Sequence, residues 1–517
     1  MTASRGRVAV IGGGIAGLAA AYELKCEGVE AVVLEAGDRP GGSIDAWRVG
    51  GLTVDSGPDG FVARDPAAAE LCRRIGLGAE LVTPTSSGAY VFCDGGLLRF
   101  PDRSVLGVPW TADAVEGTGI VSEAGTDTLR RGLARSAEPL AGDATVGEVL
   151  RPRVGDEVFE RLVDPLLGGI NAGSADRMSI EACAPPLHEA ARRGGPLGAA
   201  LQQAAARQGD DGADRPPVFQ SVRGGVARMV DTLTAELGDA VSLSTPVQQV
   251  TPVAGAGGGP RWKVATPRGS LDVGGVVAAC PAWESARLIE PLAPEAAGIL
   301  GDIEYADVAL ATFVVPDEHL ARPLDASGFL VPRSRGLLTT ACSWSSSKWQ
   351  HYARAGLAVL RVSTGRTDDR RWMDLDSDDL VAVLAGELAE AGVLSRDAVA
   401  RDCWEARLRG RASRRATSAH AGEAVARAAR ERSEQERERP RPDAAGLHLP
   451  AHALRPWRQS LPQYRPGHLD RVAAVEACLA SETPGLAAAG AALRGVGLPA
   501  CIRSGQRAAA TMTRLLL

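Results

Sequence analysis

The chain has 517 residues, 45% apolar and 23% charged, with a formal charge of -6, a balance that excludes a disordered chain and, at this length, a single core. Nine scattered cysteines, none spaced CxxC, argue against a disulfide framework or a zinc site, and an acidic total with dispersed arginines argues against a nucleic-acid surface. No stretch approaches the roughly 18 uncharged apolar residues of a spanning helix, and the start "MTASRGRVAVIGGG" has no export pattern, so a cytoplasmic protein is expected, with contact at a membrane surface left open.

The first elements are legible in "RVAVIGGGIAGLAAAYEL": a strand (Val8 to Ile11), the turn Gly12-Gly13-Gly14-Ile15-Ala16-Gly17, and an alanine-rich helix. Gly12, Gly14 and Gly17 give GxGxxG between a strand and a helix, the context in which that spacing has meaning. Gly12 allows the tight turn, Gly14 lets backbone approach a pyrophosphate, and Gly17 lets the helix pack close to the sheet. The helix start then offers unpaired N–H groups and a partial positive charge to phosphates. A second strand, "EAVVLEA", contains Glu35, placed for a ribose 2'-hydroxyl. The chain continues with "EAGDRPGGSIDAW" and "VDSGPDGF", and here it resembles the flavoprotein superfamily of amine oxidases, phytoene desaturases and protoporphyrinogen oxidases. Arg39 would supply a charge-assisted donor near the diphosphate, and Gly41 and Gly42 would let backbone pass close to FAD.

Further along, Val146 to Ala182 has helical apolar spacing through Val158, Leu162 and Leu166 and breaks at Gly168 and Gly169. Gly194 to Pro217 reads as a helix and a polar loop, and "FQSVRGGVARMVDTLTAEL" as a turn at Gly224 and Gly225 feeding a helix. Strands follow near Val247 to Thr251, Trp262 to Thr266 and in "VGGVVAACPAW", the last ended by Pro281. "VALATFVVP" and "LAVLRVSTGR" predict a second sheet for substrate, and "DSDDLVAVLAGELAEAGVL" an amphipathic helix with an acidic first turn. Arg407 to Arg441 has few large apolar residues and mixed charge, the composition of an exposed or disordered insertion. At the end, "GVGLPACIRSG" is a second glycine turn, with Pro499 near the first turn of a final helix.

The blocks "LVDPLLGGINAG", "IEYADVAL", "CSWSSSKW", "LPQYRPGHLDRVAAVE" and "GVGLPACIRSG" are similar to those of one branch, the bacterial coproporphyrinogen III and protoporphyrinogen IX oxidases. The resemblance implies an α/β fold: a Rossmann-like FAD domain from discontinuous segments (1–85, 215–285, 453–517), a substrate domain with a mixed sheet (86–100, 175–214, 286–403), a helical subdomain (101–174) and an insertion (404–452). It implies FAD, a tetrapyrrole substrate losing six electrons in three hydride transfers to flavin, and molecular oxygen as acceptor, with no protein nucleophile. FAD contacts carried over by motif are Gly12, Gly13, Gly14, Ile15, Ala16, Gly17, Glu35, Ala36, Arg39, Gly42, Ser43, Gly57, Pro58, Asp59, Gly60, Val247, Trp457, Gly495, Val496, Gly497 and Leu498. The second glycine turn would then face the pyrimidine edge of the flavin, where negative charge develops on reduction. Basic groups for the propionates would come from Arg64, Arg177 and Arg361, with Asn171 and Phe329 also at the substrate.

Three positions depart from that branch: Asn171 stands for the aromatic of "GIYAG", Leu493 for the tyrosine of "AYRG", and Ser43 where a basic residue is common. The departures leave open a flavin oxidase of an amine or polyene, and a non-catalytic flavin-binding protein.

Overall fold

The computed structural model describes residues 6–207, 217–253, 261–397, 399 and 451–517. The charged stretch read as an insertion lies outside the described residues, except that Ala451 and His452 begin a strand.

Short runs of Val, Ile, Leu and Ala without polar alternation are the pattern of strands buried on both faces. Val8–Ile11 and Ala31–Leu34 obey it and form the middle of a five-stranded parallel sheet. Its order is Val241–Ser242, Ala31–Leu34, Val8–Ile11, Gly275–Ala278, Leu486–Ala488. The order reverses between Val8–Ile11 and Gly275–Ala278, so a crevice lies beyond the carboxyl ends of these strands, the place where open α/β sheets bind ligands. Helices Ile15–Cys26, Ala67–Arg74, Ala227–Leu237 and Leu498–Leu516 share one core on one face. Leu18, Leu24 and Ile502 are fully buried there, each contributing about 1.5–3 kcal/mol. The other face carries the antiparallel meander Gln249–Val253, Arg261–Thr266, Gly269–Val273 and the helices Ala282–Ile289, Pro294–Gly301 and His468–Glu482.

The second sheet has seven strands in the order Ala451–Pro462, Tyr305–Pro316, Leu357–Thr364, Thr339–Trp344, Gly328–Leu330, Tyr90–Cys93, Gly96–Arg99. It is antiparallel apart from the parallel pair Gly328–Leu330 and Tyr90–Cys93, which makes it mixed. One face is sealed by helix Ser377–Glu390, whose N-cap Asp376 accepts from the Asp379 N–H at 2.9 Å. On the opposite face Leu310, Leu330, Ala341 and Ser363 are only half-buried, although they lie on inner strands. The rest of that face is covered, with Val314 and Val359 packed against Val54 and Trp349, so only the part around Leu310, Leu330, Ala341 and Ser363 is accessible.

The third unit is helical. Helices Glu123–Ala134, Val146–Val154, Asp164–Asn171, Pro185–Arg193 and Leu197–Arg207 meet around Leu129, Leu150, Leu162, Leu187 and Leu201. Thr145 and Glu148 form a reciprocal capping box at the start of Val146–Val154, at 3.0 and 2.9 Å.

Three of the expected boundaries are corrected. Residues 175–207 pack into the helical core, through Met178, Ile180, Leu187 and Leu197, rather than on the substrate sheet. Residues 286–301 pack behind the parallel sheet with Ile289, Ala297 and Leu300, not with the substrate sheet. Residues 453–462 pair along Tyr305–Pro316 instead of joining the FAD unit. The last miss has a clear cause: "AHALRPWRQSLP" is an edge strand with exposed Pro456 and mixed polarity, so neither periodicity nor propensity marks it.

Candidate cofactor and substrate site

The three glycines of the first turn are required for three different reasons. Gly12 has φ +105°, and a Cβ there would stand 2.8 Å from the Ala279 carbonyl oxygen. A Cβ on Gly17 would run into the Gly12 carbonyl oxygen. A Cβ on Gly14 would meet no protein atom within 4 Å, so that position faces open space. Gly14 is also the N-cap of Ile15–Cys26, with no side-chain cap and no acidic residue in the first turn. Those N–H groups are therefore left for a ligand, and the field at the helix start favours an anion. Glu35, at the end of the neighbouring strand, accepts from Gly13 N–H at 2.6 Å and Gly37 N–H at 2.7 Å, which ties the two loops together. Gly41 N–H donates to Gly13 carbonyl at 2.8 Å. Ala36, Gly42 and Ser43 are exposed along the same rim.

Most of the donors of Arg39 are taken by its own loop. Its guanidinium donates to the carbonyls of Pro40, Ile44 and Gly42 at 3.0, 3.1 and 2.7 Å and pairs with Asp45 at 3.3 Å. It shapes the glycine loop from behind, a role that loop-internal hydrogen bonding hides from the sequence.

The loop Ser56–Gly60 is clamped by Trp457 and Arg361 from the substrate sheet and by Ser221 from the separate strand Phe219–Val222. Trp457 Nε1 donates to Ser56 carbonyl at 3.0 Å, Arg361 donates to Gly57 carbonyl, and Ser221 Oγ donates to Asp59 carbonyl at 2.8 Å. The Asp59 carboxylate pairs with Lys348 at 3.2 Å and Arg361 at 3.0 Å. Burial works against its charge, yet the ammonium of Lys348 and the guanidinium of Arg361 hold its carboxyl well below the usual carboxylate range. Pro58 and Gly60 are half-buried beside it. Upstream, burial pushes the Asp55 carboxyl up, while the Tyr352 hydroxyl at 2.7 Å and the N–H groups of Val226 and Ala227 at 3.0 and 3.1 Å support its charge. Val247 is buried beside Ile11 and Leu34, with its carbonyl taken by Arg287 at 2.9 Å.

The second glycine turn opens helix Leu498–Leu516. Gly497 is its N-cap, Pro499 sits in the first turn, and again no side chain caps it and no acid enters that turn. Tyr464 fixes the approach: its hydroxyl accepts from Gly495 N–H at 3.0 Å and donates to Ala491 carbonyl. His468 stacks on Tyr464 at 4.1 Å and places Nε2 2.7 Å from Leu493 carbonyl. Val496 and Leu498 complete the turn. This helix crosses Ile15–Cys26 where Gly505 lies against Ala16 carbonyl, too close for any Cβ. Two uncapped helix starts thus belong to one packed pair.

Of the residues expected at the substrate, most are already engaged. Arg361 is buried in the ion cluster with Asp59, so it is not free for a propionate. Arg177 is exposed and pairs with Glu304 at 3.6 Å on the surface. Phe329 is packed edge-on to Trp344 at 6.4 Å, in the core sealed by Ser377–Glu390, because strand alternation turns it away from the open face. Asn171 is buried, with Nδ2 donating to Leu167 carbonyl at 2.9 Å in its own helix. Leu493 is core behind the parallel sheet, not a cavity residue. Arg64 is exposed beside the Gly57–Gly60 loop, with no ion pair among the described residues.

The model for the family described as flavin containing amine oxidoreductase matches residues 15–513. The chain belongs to that family. It is 27% identical to the coproporphyrinogen III oxidase of Bacillus subtilis (strain 168), over 98% of both chains. It is 29% identical to the coproporphyrinogen III oxidase of Mycobacterium tuberculosis (strain ATCC 25618 / H37Rv), over 98% of this chain and 97% of the relative. A crystal structure from Exiguobacterium sp. 255-15, provisionally named a protoporphyrinogen oxidase, is similar with a TM-score of 0.76 at 26% identity and 98% coverage of each chain. The protein is a flavin-dependent oxidoreductase, and the residues present fit FAD: the open space at Gly14 and the uncapped helix start suit a pyrophosphate.

Within this flavoenzyme, sequence reasoning missed Lys348, Tyr464 and His468. All three lie in the blocks "CSWSSSKW" and "LPQYRPGHLDRVAAVE", but their hydrogen-bond partners are 25 or more residues away, up to a separation of 289 for Lys348 and Asp59.

Proposed function

We propose that this oxidoreductase converts coproporphyrinogen III to coproporphyrin III, in preference to protoporphyrinogen IX, as a cytoplasmic step of heme biosynthesis with oxygen as final acceptor. The observation that carries the reading is the pair of relatives aligned end to end with this chain, both bearing that activity in their names. Bound FAD supplies hydride acceptance, so removal of six electrons from the tetrapyrrole takes three rounds, each consuming one oxygen and releasing one hydrogen peroxide. The chain supplies the placement. The open face of the seven-stranded sheet offers an apolar wall of Leu310, Leu330 and Ala341 for a large ring system. Arg64 offers a guanidinium for a carboxylate at the rim. Among the described residues no helix is long and apolar enough to cross a membrane.

The test is anaerobic mixing of the yellow holoenzyme with each porphyrinogen while flavin absorbance is followed. Bleaching by coproporphyrinogen III, faster than by protoporphyrinogen IX and followed in air by porphyrin fluorescence, is expected. Flavin that neither substrate reduces would sink the reading, and faster reduction by protoporphyrinogen IX would reverse the preference.

A further inference from the structure

An open cavity of about 880 Å³ lies at the end of the seven-stranded sheet where Pro316 pairs with Leu357 and Asp317 N–H donates to Gly356 carbonyl at 3.0 Å. Its walls are the connection that follows Tyr305–Pro316, with Arg322 and Leu324, and the connection from Thr339–Trp344 to Leu357–Thr364, with Gln350 and Arg354. No residue of either glycine turn lines it, nor do Leu310, Leu330, Ala341 or Ser363, so it stands apart from the place proposed for the oxidation. Its volume falls in the range of small-molecule sites, roughly 300–1,000 Å³.

The polar side chains of this cavity are uncommitted. Arg322, Arg354, Asp317 and Gln350 make no side-chain hydrogen bond among the described residues, and Arg354 and Asp317 make no ion pair there. Arg322 is half-buried, with Nε buried and without a partner. Its guanidinium stacks 4.5 Å from the centre of the Tyr90 ring and 5.6 Å from that of Trp344, which fixes the fork in place before any ligand arrives. Its one ion pair is long: Asp325 is 3.8 Å away, already accepts from the Tyr90 hydroxyl at 3.0 Å and is shared with Arg99 at 3.8 Å. Free donors rather than net charge therefore select an anion here, because a guanidinium fork matches two oxygens of one head group. Asp317, the one carboxylate on the wall, disfavours a multiply charged head. Leu324 and Leu357, both half-buried, add an apolar strip.

We propose that this cavity binds a carboxylate carried on an apolar body, with Arg322 seating the carboxylate, Arg354 as a second donor, and Leu324 and Leu357 against the body. A free aliphatic acid and a propionate-bearing edge of a tetrapyrrole both present that chemistry. Lys348 and Tyr352, in the same connection as Gln350 and Arg354, reach Asp59 and Asp55, so the bound molecule lies against the segment that helps to hold the loop Ser56–Gly60. The site uses nothing of the flavin crevice and stands or falls separately from the proposed oxidation.

The experiment is calorimetric titration of the purified, flavin-loaded protein with decanoate, and in parallel with decanol and with inorganic phosphate. Decanoate should bind saturably, and decanol and phosphate more weakly. Arg322→Gln and Arg354→Gln should each weaken decanoate about tenfold, the loss of one charge-assisted contact, with flavin content unchanged. Should Arg322→Gln disturb the packing of Tyr90 and Trp344, the exposed Arg354 decides alone. Decanoate that does not saturate, that binds Arg354→Gln as tightly as wild type, or that binds no tighter than phosphate overturns the proposal. Repeating the titration on protein saturated with coproporphyrin III separates the two sources. Loss of the Arg354-dependent decanoate binding assigns the site to the tetrapyrrole edge, and undiminished binding assigns it to free aliphatic acids.

Discussion

The two glycine turns end in the same arrangement, an uncapped helix start with a glycine N-cap, yet they are held there by different means. In the first, backbone packs on backbone: Gly12 against Ala279, Gly17 against Gly12, with Glu35 tying Gly13 to Gly37. In the second, side chains from a distant segment do the holding, with Tyr464 on Gly495 and Ala491 and His468 on Leu493. A turn closed by its own backbone is specified by local spacing, whereas a turn hung on remote side chains depends on the whole fold being in place.

The sharpest contrast lies inside the first turn. Gly17→Ala puts a Cβ into the Gly12 carbonyl oxygen, with no flexible side chain to yield, so it should cost more than about 3 kcal/mol and abolish soluble protein. The Cβ of Gly14→Val meets no protein atom within 4 Å, and φ at Gly14 is -68°, so the chain should fold with near wild-type circular dichroism but bind no FAD. Flavin stoichiometry after gel filtration reads the second, and soluble yield the first. If Gly14→Val kept stoichiometric FAD, the turn would not be the phosphate site.

The same distinction explains what could be read in the sequence. The first βαβ unit, the helix Ala227–Leu237 after Gly224-Gly225 and the helix Ser377–Glu390 follow from spacing, turn chemistry and capping within a dozen residues. The fate of arginines did not follow. Arg39 and Arg361 are identical in sequence terms to ligand-binding guanidinia, but one spends its donors on its own loop and the other on Asp59 and Gly57. Phe329 was misplaced by one step of strand alternation, since a residue's face is set by its register with Cys342 and Tyr90, not by its identity.

The remote supports of the second turn should show in pH dependence. Burial pushes the His468 ring down from 6.5 to about 4, even with Leu493 carbonyl as partner, so the native protein holds it neutral. The unfolded chain takes up a proton below 6.5 and the native chain only near 4. Stability is therefore complete above pH 6.5, falls as pH drops toward 4, and loses nothing further from this group below that. The loss should be about 3 kcal/mol. His468→Gln should flatten this part of the profile, read as melting temperature between pH 6.5 and 4.5. An unchanged slope would mean that His468 is not held neutral by the fold.

The smaller effect, and the one that most directly sets the two turns apart, is Tyr464→Phe. The ring stays, so packing against His468 is kept, while the hydroxyl that links Gly495 N–H to Ala491 carbonyl is lost. Tyr464 is only 3% exposed, but Ala491 and Gly495 are half-buried, so the cost should be that of one lost hydrogen-bond link, about 1 kcal/mol in urea denaturation. Gly495 has φ +140° and little slack, because a Cβ there would already stand 2.7 Å from Ala500, so loosening its N–H frees the backbone just before the helix start. FAD affinity should fall while its phosphate anchor at Gly14 remains. If stability and affinity both stay at wild-type values, the second turn is closed by its own backbone as the first is, and the difference drawn between them fails.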